Sequence, residues 1–323
     1  MGVHGPQPWV GELDSGVLYT SALPAAERTG ESGEHEMLTI HKAFAAAVLL
    51  AGLAATATAL AQGRPSPFGN FELKIEQVAD GLYMIRSSAS GNMTVFTSDD
   101  AVLIVDSKFA NENARAMELL RTVTDLPVKY VVNTHMHPDH TGGNIAFEAL
   151  GSDIVATENA RKRLAEAQAM GLPNITFDDH LRIYFGGRVM DFYWLGRGHT
   201  DGDLVIHLPE ERLVLTGDLF AGGDPFVRLI DYNGGGSLAE WSGTLEKVLA
   251  LDFDRVIPGH SELTDRARMQ AYLDQIVQMQ DLIRGMRAAG RSPEDIQTAV
   301  NNEFGRMAFV VLPGIQPVLD ELQ

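Results

Sequence analysis

Between Thr134 and Gly143 the chain reads Thr-His-Met-His-Pro-Asp-His-Thr-Gly-Gly, which puts four metal-capable side chains, His135, His137, Asp139 and His140, within six positions. Side chains two apart at the end of a strand project to the same side, so the spacing predicts that His135 and His137 grip one ion from one face. Pro138 stops the strand and turns the chain. Asp139 and His140 can then face back toward the same cavity, with Gly142 and Gly143 permitting a tight exit into the next helix. This is a spacing for two metals rather than one.

Three further ligand types follow, each predicted at the end of an apolar strand and beside a glycine. They are His199 in Gly-His-Thr-Asp-Gly, Asp218 in Thr-Gly-Asp-Leu, and His260 in Pro-Gly-His. A lone histidine is more often structural than catalytic, but this repeated placement overturns that expectation. Of the ten histidines, His207 falls within a predicted strand and His180 within a polar stretch, and both read as structural. The chain has no cysteine, so any metal is held by histidine and carboxylate, and disulfides and thiolate nucleophiles are excluded.

Around these segments the pattern alternates between strands and helices. Phe71 to Val78, Leu82 to Arg86, Met93 to Thr97 and Ala101 to Val105 form a β-meander, with turns at Asp80-Gly81 and Ser98-Asp99-Asp100. A helix from an Asn111 cap to Val123 leads to a strand from Val128 to Thr134. A second helix covers Glu158 to Met170, and strands Leu204 to Leu208 and Leu213 to Thr216 pair across Pro209 to Arg212. Helix Ser237 to Leu251 precedes strand Arg255 to Ile257. The tail is helical from Asp265 to Ala289 and again from Ser292, where Pro293, Glu294 and Asp295 suit a first turn. Ala101 to Asp106 and Arg212 to Asp218 echo one another as apolar strands ending in aspartate, the mark a duplicated half-domain would leave.

The N-terminal part reads differently. From Met37 a short basic start at Lys42 leads into an Ala/Leu/Val-rich run from Ala43 to Leu60 and a small-x-small end at Ala61, so residues 37–61 have the layout of a secretory signal peptide. A membrane anchor would need about 20 strongly apolar residues, and this run is diluted by alanine, threonine and Gly52. Residues 1–36 carry six acids against one arginine, a composition that opens no signal peptide. They are expected to be a non-native upstream extension, with Met37 the true start. Residues 62–70 read as a linker and 71–323 as the folded domain with its helical tail. The expected location is periplasmic or secreted, with no stable membrane association after cleavage.

A net charge of −18 disfavours nucleic acid and anionic membrane as partners, since both repel an acidic protein. A small-molecule substrate fits better, and oligomeric state is not legible.

From about Gly81 to His260 the chain resembles the metallo-β-lactamase superfamily, whose hallmark is the His-x-His-x-Asp-His loop followed by a separate His, Asp and His. That resemblance implies an α/β fold of the αββα sandwich type, two β-sheets packed together with helices on the outer faces. It implies that His135, His137 and His199 hold a first metal, that Asp139, His140 and His260 hold a second, and that Asp218 bridges them. Asp106 is similar to the family's early strand-end aspartate, which supports a ligand. Two zinc ions are the implied cofactors, and the same donors could take iron or manganese.

The implied chemistry is hydrolysis. Two ions about 3.5 to 4 Å apart lower the pKa of a shared water toward about 7, and the resulting hydroxide attacks the carbonyl of an ester, thioester, lactone or lactam. Asp139 is the catalytic residue in this reading, orienting the water or relaying its proton. A β-lactamase proper is one alternative, but the well-studied zinc β-lactamases carry Cys or Ser where this chain has Asp218. Another is an iron-dependent oxidoreductase similar to persulfide dioxygenases. Arg228 is the nearest cation after Asp218, and Asn233 to Gly236 read as a flexible wall loop.

Overall fold

Strand β1 (Leu73–Ala79) turns at Asp80-Gly81, where Gly81 adopts a φ of +61°, and returns as β2 (Leu82–Ser87). With β3 (Met93–Thr97) and β4 (Val102–Val105) these strands form the expected antiparallel meander. The computed structural model describes residues 72–223, 226, 229–305 and 310–322. The upstream extension, signal peptide and linker read from the sequence lie outside the described residues, as does Arg228.

After β4 the connections cross over. Helix α1 (Ala110–Leu120) leads to β5 (Val128–Val132), which pairs parallel with β4. The short helices α2 (Pro138–Thr141) and α3 (Asn144–Ala149) precede β6 (Asp153–Thr157), and α4 (Glu158–Glu166) precedes β7 (Ile175–Phe177). The first sheet has seven strands in chain order from β1 to β7. The second sheet takes β8 (His180–Phe185), β9 (Arg188–Trp194), β10 (Leu204–Leu208), β11 (Leu213–Leu215), β13 (Arg255–Ile257) and β14 (Thr264–Asp265), while β12 (Leu229–Asp231) stands apart and pairs with β15 (Val310–Leu312). Helices α5 (Leu238–Leu249), α6 (Arg266–Ala288), α7 (Pro293–Phe304) and α8 (Gln316–Glu321) complete the described chain.

The layers follow from side-chain alternation along each strand. Leu103 and Val105 of β4 join Phe192, Ile206, Leu213 and Leu215 in a core between the two sheets. Val102 and Ile104 point the other way, onto Ala116 and Leu120 of α1. In the second sheet Val205, Val214 and Val256 face Trp241, Leu245 and Tyr272 on α5 and α6. The stack is therefore helix, sheet, sheet, helix, the sandwich that the sequence implied. Strands β4 and β11 hold matching places: each has an antiparallel neighbour on one side and, beyond a helix, a parallel one on the other.

Several element boundaries differ from expectation for local reasons. Helix α1 starts at Ala110, so Phe109 rather than Asn111 holds the N-cap position, without a side-chain cap bond. Helix α4 stops at Glu166 rather than Met170, because Gln168 turns to a φ of +54° and the Ala169 amide donates back to Leu164. The stretch around His180 is a strand, with Leu181 and Ile183 packed inward and His180 outward beside Asp191. Caps at Ser237, Asp265 and Ser292 form as the sequence suggests, each side chain accepting from the amide three residues on.

Candidate metal centre

Strands β9, β11 and β13 run in one direction, so their C-terminal ends share one edge of the second sheet, where it meets the ends of β4 and β5. The Leu204 amide donates to the Thr134 carbonyl across this seam at 2.8 Å. All seven sequence-predicted residues converge there, though not directly on strand ends. Strand β5 finishes at Val132, which places His135 in the loop beyond it, and His137 is the N-cap of α2 with Pro138 at its first position. His199 lies in the loop after β9, Asp218 in a 3-10 turn at Gly217–Phe220, and His260 in the loop after β13. Loop geometry rather than strand alternation aims these side chains.

Gly142 and Gly143 have ordinary right-handed backbones, so their role is space: a β-carbon on Gly143 would lie 2.3 Å from the Asn113 amide nitrogen. Gly259 is held to the same limit, since a β-carbon there would lie 1.9 Å from Asp218 Oδ1.

Three imidazole nitrogens meet at the first cluster. His137 Nδ1 lies 3.1 Å from His135 Nε2 and 2.8 Å from His199 Nε2. The opposite nitrogen of each ring fixes its tautomer. His199 Nδ1 donates to the Leu229 carbonyl at 2.7 Å, and His137 Nε2 donates to Asp231 Oδ2 at 3.0 Å. The Thr134 hydroxyl donates to Asp106 Oδ2, so it accepts from His135 Nδ1 at 3.1 Å. The three rings thus turn bare nitrogens toward one point. Such an arrangement is repulsive by itself and is stabilised by a cation.

The second cluster is Asp139, His140 and His260, and Asp218 stands between the two. Asp218 Oδ1 is 3.4 Å from His140 Nε2 and 3.3 Å from His260 Nε2, while its Oδ2 is 3.8 Å from His199 Nε2. Asp139 Oδ2 lies 3.4 Å from both His140 Nε2 and His260 Nε2. His140 Nδ1 donates to Asp106 Oδ2 at 2.7 Å, leaving its Nε2, like Asp218 Oδ1, buried without a hydrogen-bond partner. Unpartnered buried polar atoms facing one another fit a metal centre. Among the described residues, the sets His135/His137/His199, His135/His140/Asp218 and Asp139/His140/His260 each bring their donor atoms within 4.8 Å of one another.

Electrostatics separate the clusters. Burial drives His135 and His199 below the ordinary histidine range, His199 to about 4, and neighbouring imidazoles add to this, so both rings are neutral donors. Burial also opposes charge on His140 and His260, but the Asp139 and Asp218 carboxylates outweigh it and raise both, His260 to about 9. Burial alone would raise Asp139 and Asp218, yet the His140 and His260 rings hold both well below the usual carboxylate range. Asp203, pushed up to about 7 by burial against the bonds it accepts from Thr200, braces the loop carrying His199.

Asp231 escaped the sequence reading although it shares the pattern noted for Asp106 and Asp218, an apolar strand ending in aspartate. Asn233 to Gly236 pack closely rather than forming an open wall: Gly234 and Gly236 contact the backbone of Asp201 and His199, and a β-carbon on Gly235 would lie 2.4 Å from the Asp201 carboxylate. Beside His260 opens a cleft of about 550 Å³ lined by Arg86, Ser87, Ser88, Gly222 and Glu262.

With this fold and centre in view, the chain belongs to the metallo-beta-lactamase superfamily, whose family model matches residues 88–260. It is 26% identical over 220 residues to a metallo-beta-lactamase type 2 of Elizabethkingia meningoseptica, covering 65% of this chain and 87% of that one. It is 25% identical over 178 residues to the alpha subunit of a 2,4-dinitroanisole O-demethylase of a Nocardioides species, covering 54% and 53% of the two chains. Among solved structures, a metallo-beta-lactamase from Pontibacter korlensis superposes with a TM-score of 0.58 at 20% identity, over 64% of this chain and 99% of that one. These likenesses make the chain a metal-dependent hydrolase of that superfamily.

Proposed function

We propose that this chain is a dinuclear zinc hydrolase that cleaves a small-molecule ester, thioester, lactone or lactam. His135, His137 and His199 hold the first ion, Asp139, His140 and His260 hold the second, and Asp218 spans both. The observation that carries this reading is the convergence of bare imidazole lone pairs on one point, with the unpartnered Asp218 Oδ1 turned toward the neighbouring cluster. Donors of nitrogen and oxygen without sulfur suit zinc, and the same set could take iron or manganese.

When bound, two such ions supply Lewis acidity toward a carbonyl oxygen and acidify a shared water toward neutrality. The protein does the rest. Asp139, held ionised against its burial by His140 and His260, would orient the attacking water or relay its proton. Asp106 locks the His140 ring, and Asp231 that of His137. The cleft beside His260 seats the substrate, and its serines and charged rim favour a polar group there.

The names of the relatives point to lactams in one case and an aryl ether in the other, so both belong in a panel with lactones, thioesters and aryl esters. Turnover of at least one carbonyl substrate is expected, abolished in Asp218→Asn. A panel turned over equally well by Asp218→Asn would remove the carboxylate bridge from the reading. We also place the mature protein in the periplasm or outside the cell, supported by the leader-like residues 37–61. N-terminal sequencing of the native protein tests this, with Gln62 as the expected first residue.

A further inference from the structure

The loop between β2 and β3, residues 88–92, meets the substrate cleft only through Ser88, yet it is stitched to the second cluster from both sides. Its Gly91 backs directly onto His140: a β-carbon there would lie 2.1 Å from the imidazole Cε1 and 2.4 Å from Nε2, so the bare backbone forms the floor under that ring. The Gly91 carbonyl accepts from Lys108 Nζ at 2.6 Å. Lys108 is fully buried and holds a φ of +66°, a conformation lysine rarely adopts. Burying an amine on a strained backbone for a single carbonyl is costly: burial lowers its pKa to about 7, and the Glu112, Asp139 and Asp106 carboxylates nearby offset this only in part.

The next residue ties the loop to the other ligand. The Asn92 amide donates to the Gly259 carbonyl at 2.6 Å, and Asn92 Nδ2 donates to the carbonyls of Pro258 at 2.9 Å and Ser261 at 3.0 Å. Those carbonyls bracket His260 in the chain. The first cluster is braced differently, by Asp231 and the Leu229 carbonyl, and residues 88–92 make none of those bonds.

We propose that Lys108 and Asn92 are positioning residues for the second ion alone, clamping loop 88–92 so that Gly91 seats His140 and Asn92 fixes the turn that presents His260. This rests on the assignment of Asp139, His140 and His260 to a second metal. Groups that orient ligands are worth about 10- to 100-fold in metal affinity, and here that loss falls on one ion.

The test is stepwise zinc titration of metal-free protein against a competing chromophoric chelator, for wild type, Lys108→Met, Lys108→Arg, Asn92→Ala and Asp231→Asn. Wild type is expected to take two ions. Lys108→Met and Asn92→Ala should weaken the second by about 10- to 100-fold and leave the first within about twofold. Lys108→Arg, which keeps a donor, should recover part of the loss, and Asp231→Asn should show the opposite pattern. Asn92→Ala keeps its backbone bond, so it serves if the Lys108 variants do not fold. Wild type taking two ions while Lys108→Met or Asn92→Ala does so with unchanged affinity overturns the proposal, as does equal weakening of both ions. Wild type taking fewer than two overturns the metal assignment itself.

Discussion

The two halves of the centre are built from different materials. One is three imidazoles, each aimed by a hydrogen bond from its far nitrogen to Asp231, a backbone carbonyl or Thr134. The other is two imidazoles raised by adjacent carboxylates, with Asp139 itself among the donors. The contrast teaches that a metal-free site need not be uniformly ready. In the imidazole half burial keeps His135 and His199 below the ordinary histidine range and so free of protons at neutral pH, whereas the carboxylate half holds protons that an incoming ion must displace.

The sharpest way to break this contrast is to remove the group both halves share. Asp218→Asn is expected to lose the second ion and to cut turnover at least about 100-fold, the equivalent of losing several kcal/mol of Lewis-acid stabilisation. Mass spectrometry for metal content and steady-state kinetics check it together. Next, His260→Ala should retain one ion that stays bound as pH falls and His199→Ala one that is released, so the same pH dependence in both would erase the distinction between the halves.

Smaller effects sharpen it further. Asp106→Asn leaves His140 without its carboxylate and should lower affinity for the second ion by about 10- to 100-fold, with a smaller loss at the first, which Asp106 reaches only through Thr134 and His135. The pH dependence has a definite sign. His260 is raised above its unfolded value, so its proton stabilises the metal-free fold fully below the ordinary histidine range and is lost as pH rises through about 9. Occupancy of the second half should therefore fall as pH drops below about 9 while the first half, with His199 at about 4, stays filled. Metal retained on a desalting column across that range reads this out. Smallest of all, His180→Ala removes an exposed partner of Asp191 and should change stability by about 1 kcal/mol or less, with metal content unchanged.

What the sequence made legible follows the same division. The seven residues proposed as ligands stood out because their chemistry is rare and their placement repeats, and the sandwich followed from short apolar strands such as Val102–Val105 and Leu213–Leu215. The reason given for their convergence was only partly right. His135 and His137 meet because the chain leaves β5 and caps a helix, a geometry that periodicity does not encode. Strand His180–Phe185 was hidden by its outward His180 and Arg182, although Leu181 and Ile183 alternate inward. Lys108 and Asn92 were invisible because each acts through backbone carbonyls brought close only by the fold, those of Gly91 and of Pro258 and Ser261. Asp231 was within reach, since its strand-end signature matches those of Asp106 and Asp218.

The most direct test of the central claim is the metal content per chain of protein beginning at Gln62 and purified without chelators, measured by inductively coupled plasma mass spectrometry. Two equivalents of zinc, falling to one in His260→Ala, is the result the two-cluster account predicts. One equivalent of iron in wild type, unchanged by His260→Ala, would contradict it and turn the chemistry toward a mononuclear oxidoreductase.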